Sequence, residues 1–398
     1  MSAIPRYRAT TAPAVLSAGF RPFFLLAGLW AAFAVPFWLL LLAAGRVLPV
    51  AMAPLLWHAH EMIFGFALAT VAGFLFTAVP NWTGRMPLQG ASLGVLVLLW
   101  IVGRVAMLVG GGLPVAVPAV LDLAFPAALT AAIGREIVTG RNWRNLPVLA
   151  ALGVLLVADL LMQVGAAARF GLAMAGARLG IATLTALVTL IGGRIIPSFT
   201  RNWLLRREPQ GALPAPFGLV DRAALAMSLA GLALWVVRPG SAVVAVLLLA
   251  AGVAHALRLA RWRGLATLGE PLLAVLHLGY AWLAFGLALL GVDRFVTLMP
   301  ASVALHALTV GAIGTMTLAV MARASLGHTG QALTSSTRLT VVFVLVSVAA
   351  MLRLLAAIVP GSYVLMLDFS GAAWAGAFAL FVVQFAPLLT RPRRRGAG

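Results

Sequence analysis

Apolar runs of about twenty residues recur along the whole sequence. In hydrocarbon a chain must satisfy its own backbone hydrogen bonds, so such runs fold as membrane-spanning helices. The runs lie at 22–45, 58–80, 91–110, 114–134, 146–167, 176–196, 219–238, 241–257, 270–291, 297–321, 339–359 and 368–390. With 63% hydrophobic and 9% charged residues, the composition excludes an ordinary soluble domain. The expected fold is all-α: a polytopic membrane protein of about twelve transmembrane helices. It forms a single integral membrane domain over 1–398, which a linker at 197–218 carrying Pro209, Pro214 and Pro216 divides into six-helix halves, 1–196 and 219–398.

The net charge of +19 comes from 28 basic residues, all of them arginine, and most sit between the apolar runs. Alternate loops can be assigned to opposite sides and counted. One side collects Arg6, Arg8, Arg85, Arg135, Arg141, Arg144, Arg201, Arg206, Arg207, Arg222, Arg258, Arg261, Arg263, Arg323, Arg338 and the tail Arg391, Arg393, Arg394 and Arg395. The other has Arg46, Arg169, Arg178, Arg238 and Arg294. Nineteen against five predicts both termini in the cytoplasm. This distribution accounts for the basic charge without a nucleic-acid partner. The N-terminal stretch reads as a retained cytoplasmic arm and not a signal peptide. Arg21, Arg104, Arg194 and Arg353 fall within or beside spans. Arg104 and Arg353 either snorkel or pair with Asp122, Asp159 or Asp368, or else hold an anionic group such as a haem propionate.

Ionisable groups inside a span are costly and mark candidate sites. The second run opens WHAHEM, with His58, His60 and Glu61 within four positions. On a regular helix His60 lies about 200° round from His58, so the two imidazoles do not share one metal. Either the turn is irregular or each histidine faces its own partner. Glu61, three residues from His58, shares its face and could orient its ring; Met62 offers a thioether. The alternative is a helix-end cluster bonded to interfacial water. There is no cysteine, which excludes thiolate clusters and covalent c-type haem.

Orientation converts sequence position into depth. His58, His60 and His306 fall in the outer half, His306 about nine residues, or about 13 Å, into its span. His255, His277 and His328 fall nearer the cytoplasm, giving two candidate metal sites. Tyr280, three residues from His277, shares its face and is a candidate proton donor. Gly311 and Gly314 give the His306 helix a small face that suits tight packing or a flat macrocycle. A second pattern has a period of four helices: runs two and six both end in proline followed by Asn-Trp (Asn81-Trp82, Asn202-Trp203).

The stretches WHAHEMIFGFA, AGFLFTAVPNWTG, GGRIIPSFTRNW, HLGYAWL and HALTVGAIGTMTLAVMARASLGHTG together resemble the NnrS family across nearly the whole chain. The resemblance implies a bacterial inner-membrane protein containing haem and copper, tied to nitric oxide, the nitrosative-stress response and denitrification. His58, His60, Glu61, His277, His306, His328, Arg194, Asn202 and Arg323 fall in these stretches; His255 lies outside them. The expected cofactors are one or two b-type haems and copper. Candidate metal ligands are His58, His60, His255, His277, His306 and His328; candidate cofactor-binding residues add Arg194, Asn202 and Arg323. Candidate catalytic residues are Tyr280 and Glu61. The haem–copper oxidases lend no ligand map, since the only His-x-His here lies in the second span and no adjacent His-His exists. Expected partners are the bilayer, nitric oxide and an unidentified electron donor. If the protein is an enzyme, it is a haem/copper oxidoreductase acting on nitric oxide. A transporter, or an assembly protein with incidental metal, is the competing reading.

Overall fold

The computed structural model describes residues 12–44, 50–207, 211–295 and 300–392. Arg6 and Arg8 of the expected arm, Arg46, Pro209, and Arg393, Arg394 and Arg395 of the tail lie outside these. Twelve helices are long and apolar enough to cross a membrane, and no strand forms among the described residues. They are α1 (Phe20–Ala43), α2 (Pro54–Thr83), α3 (Ala91–Gly112), α4 (Ala116–Thr139), α5 (Trp143–Ala168) and α6 (Phe170–Arg207). The others are α7 (Leu219–Val237), α8 (Ala242–Ala260), α9 (Pro271–Val292), α10 (Ser302–Thr329), α11 (Thr337–Ala356) and α12 (Tyr363–Thr390). This is a multi-pass membrane protein. One helix lies over each expected run, and several outgrow their runs, α6 and α10 the most. Helix α6 continues to Arg207 with Pro197 inside it, so the expected linker at 197–218 is helical over its first part. Helix α10 starts at Ser302 and ends at Thr329, which puts His306 four residues from its start, not nine, and His328 in its last turn.

Helix ends follow local chemistry. Pro54 and Pro271 open α2 and α9, where a missing N–H costs nothing. The Glu270 carboxylate accepts from Leu272 N and Ser336 Oγ from Leu339 N, each at 3.2 Å. Helix α2 ends at Gly84, whose φ of 69° is left-handed. Large apolar side chains such as Val237, Val383 and Leu40 are two-thirds or more exposed, while His60, Glu61, Asp122 and Asp159 are fully buried. That inversion is stable only with lipid as solvent.

Three helices contain a stretch of wider π turns: Glu61–Ala67 in α2, Val188–Gly192 in α6 and Ala307–Gly314 in α10. These are the second helix of each successive four, the period visible in the sequence. A π turn adds a residue and takes carbonyls out of the regular ladder. In α2 the Gly65 carbonyl accepts from Trp100 Nε1 at 3.0 Å, and in α6 the Thr189 carbonyl accepts from Arg258 Nη1 at 3.3 Å.

The chain divides into two compact units. Unit 1 comprises Met1–Gly180, Val320–Ala332 and Phe378–Gly398; unit 2 comprises Ile181–Ala319 and Leu333–Ala377. Unit 1 is cored by aromatic packing, with Phe23 against Phe76 (5.8 Å) and Phe125 (5.5 Å). In unit 2, α8 and α9 approach so closely at Gly252 that a side chain there would meet the Ala288 backbone at 2.6 Å.

Candidate functional site

Among the described residues, each unit encloses a buried polar network in its apolar interior. In unit 1, α2 supplies His60 and Glu61, α3 Arg104, α4 Asp122, and α5 Asp159 and Gln163. Asp159 and Gln163 are four apart and share a helix face. His60 Nδ1 lies 3.0 Å from Glu61 Oε1; its Nε2 lies 2.9 Å from Asp159 Oδ1 and 3.0 Å from Asp122 Oδ2. Arg104 Nη1 donates to Glu61 Oε2 at 2.6 Å, and Nη2 donates to Asp122 Oδ1. Gln163 Nε2 donates to Asp122 Oδ2 at 2.7 Å and lies 3.2 Å from His60 Nε2. His60 and the three carboxylates are 0% exposed. Gly65 leaves the space for the Glu61–Arg104 pair, since a Cβ there would lie 2.8 Å from Glu61 Oε2 and 2.9 Å from Arg104 Nη1. His60, Asp122 and Asp159 are the one group of three among the described residues that could converge on a metal ion, their ligand atoms within 4.8 Å of one another.

His58 and His60 face different neighbours. The π stretch begins only after His60, so the turn carrying both is regular α-helix. His58 stacks on Trp38 with ring centroids 4.1 Å apart. The Glu61 carboxylate therefore holds His60, not His58 as its spacing suggested. His328 rests against Phe20 at 5.5 Å.

The network in unit 2 is built around Arg258 of α8. Its Nε donates to Asp221 Oδ1 of α7 at 2.6 Å and its Nη1 to the Tyr280 hydroxyl of α9 at 2.6 Å. Gly193 makes room, since a Cβ there would lie 2.6 Å from the guanidinium carbon. Tyr280 Oη lies 2.8 Å from His255 Nδ1, and Ser228 Oγ lies 2.8 Å from His255 Nε2. Both ring nitrogens of His255 are thus engaged. Tyr280 belongs with His255, not with His277 as their shared face suggested.

His277 sits elsewhere in unit 2. Thr200 Oγ1 donates to Ile196 O, so the His277 Nε2 beside it at 2.8 Å is the donor to that hydroxyl. The lone pair is then on Nδ1, which is buried with no hydrogen-bond partner among the described residues, over the bare Cα of Gly264. His306 Nδ1 lies 2.6 Å from Ser302 O, which puts the proton on Nδ1 and the lone pair on Nε2. The space beside Gly311 and Gly314 is filled by the Trp282 and Trp374 rings.

A family model described as NnrS protein matches residues 14–393. The chain belongs to the NnrS family. No curated protein matches it. The NnrS match spans both polar networks and all six histidines. Of the candidate cofactor-binding residues, Arg194 and Asn202 are exposed on α6 and Arg323 is half-buried on α10. Arg104 pairs with Asp122, one of the partners its depth suggested, and with Glu61. Arg353 is buried with its Nη1 free of hydrogen bonds among the described residues, and Asp368 is exposed. Asp122 and Asp159 were legible only as partners for an arginine; their signal was a lone carboxylate in mid-span.

Proposed function

We propose that this protein binds one or two b-type haems and copper and handles nitric oxide, in a bacterial inner membrane with both termini in the cytoplasm. Membership of the NnrS family supports the cofactors and the gas; nineteen arginines against five support the orientation. The structural observation that carries the reading is the buried, unpartnered Nδ1 of His277, a lone pair inside the membrane suited to a metal. His306, with its Nδ1 proton given to a backbone carbonyl, has the tautomer of a ligating imidazole. His277, His306 and His58 would hold the iron and copper; His255, with both nitrogens hydrogen-bonded, fits poorly. His60 differs from these, since both its nitrogens face carboxylates. When bound, these metals supply affinity for nitric oxide and a route for its oxidation or reduction. Nitric oxide reaches them through the lipid, and an electron donor is needed only if the gas is turned over.

The test is the absorption spectrum of purified protein with iron and copper analysis, before and after anaerobic addition of nitric oxide. A Soret band that shifts with the gas is expected. Replacing His306 with alanine and, separately, His277 with alanine should each alter a different Soret component. A colourless protein free of iron and copper overturns the reading and leaves transport or assembly.

A further inference from the structure

The network around His60 carries more negative charge than it can neutralise. Glu61, Asp122 and Asp159 are three carboxylates against one guanidinium, Arg104, all fully or almost fully buried. With His60 neutral the sum is two negative charges in a membrane interior, an arrangement that requires compensation.

The crowding at His60 Nε2 shows which compensation fits. One ring nitrogen has one position for a proton or a lone pair. Here it meets Asp159 Oδ1 at 2.9 Å, Asp122 Oδ2 at 3.0 Å and Gln163 Nε2 at 3.2 Å. A proton on Nε2 would be split between two carboxylates and would oppose the Gln163 amide. A lone pair would face both carboxylates. Neutrality by protons also needs a second one. Asp159 Oδ2, the oxygen left for it, is buried without a partner among the described residues. A cation held by His60 Nε2, Asp122 Oδ2 and Asp159 Oδ1 takes up the ring lone pair, separates it from both carboxylates and supplies the missing charge at once. Ligand atoms about 2.1 Å from an ion and at right angles to each other are about 3.0 Å apart, which matches the observed spacings.

We propose that His60, Asp122 and Asp159 form a site for a divalent first-row cation such as Zn²⁺ or Mn²⁺. Its two positive charges bring the network to neutrality. One imidazole and two carboxylates make a borderline-to-hard donor set, unlike the soft ligands that select Cu(I). Glu61 orients His60 through Nδ1, and Arg104 holds Glu61 and Asp122 in place, so both are positioning residues. This site is independent of the haem and copper reading.

The experiment uses full-length, tag-free protein in detergent. The protein is stripped with EDTA, loaded separately with Zn²⁺, Mn²⁺ and Cu(I), desalted and assayed for metal. One equivalent of Zn²⁺ or Mn²⁺ is expected, with Asp159→Asn weakening it at least about tenfold and Glu61→Gln about 10- to 100-fold. Any Soret band of Asp159→Asn should match that of the parent protein, which separates loss of this site from failure of the haem reading. X-ray absorption of zinc-loaded parent protein needs no variant; it should show one imidazole among oxygen ligands. Retention of Cu(I) alone, a sulfur-containing zinc shell, or undiminished zinc in Asp159→Asn would each overturn the proposal. So would parent protein that retains no divalent ion and shows a protonated-carboxyl infrared band that Asp159→Asn removes.

Discussion

Arg104→Met tests the carboxylate network most directly. Methionine keeps an apolar stem beside Trp100, whose ring lies 5.9 Å from the guanidinium carbon, and removes only the charged head. Two charge-assisted hydrogen bonds are lost, to Glu61 Oε2 and Asp122 Oδ1. At about 1.5–3 kcal/mol each the gross loss is about 3–6 kcal/mol, in line with the cost of breaking a buried pair. In a membrane the unfolded state also finds polar partners, so the expected loss falls to about 2–4 kcal/mol. Unfolding by SDS titration of EDTA-treated protein measures it, with no bound ion to offset the charge. Glu61→Gln in the Arg104→Met background removes one uncompensated carboxylate, and the two changes should couple by about 1–3 kcal/mol. Arg104→Met within about 0.5 kcal/mol of the parent, or strict additivity of the pair, would refute the reasoning.

Tyr280→Phe strips a hydroxyl that serves both His255 and Arg258, and should cost about 1–3 kcal/mol in the same assay while leaving any haem spectrum unchanged. Gly193→Ala drives a methyl against the Arg258 guanidinium and should destabilise by about 1–3 kcal/mol; the change in an Arg258→Met background should be milder, and equal effects in both would count against the close approach. His60→Ala should destabilise more than His58→Ala, since the first removes a partner from fully buried carboxylates, whereas His58 stacks on Trp38. A reporter fused to the C-terminus should read cytoplasmic, and a periplasmic signal would reverse the arginine argument.

The helices were legible because hydrocarbon imposes a single rule on every segment: about twenty apolar residues and no unsatisfied backbone. That rule sees length and composition, not turn type. It could not see the π stretches, which depend on what enters beside the helix: Trp100 reaching the Gly65 carbonyl, or Arg258 filling the space over Gly193. Residue pairing failed for the same reason. Spacing on a regular helix joined Glu61 to His58 and Tyr280 to His277, whereas each side chain turned to the strongest buried partner within reach, His60 in one case and the Arg258–His255 pair in the other. Intrahelical spacing offers about 0.2–0.5 kcal/mol per pair, and a buried charge left alone costs several times that. In a chain with only nine acidic residues, the three that are fully buried in unit 1 are therefore the stronger pointer to a site than the spacing of the histidines. His60 was found by its neighbours in the sequence, but Asp122 and Asp159, each on a different helix, become a site only when α2, α4 and α5 bring them to one ring nitrogen.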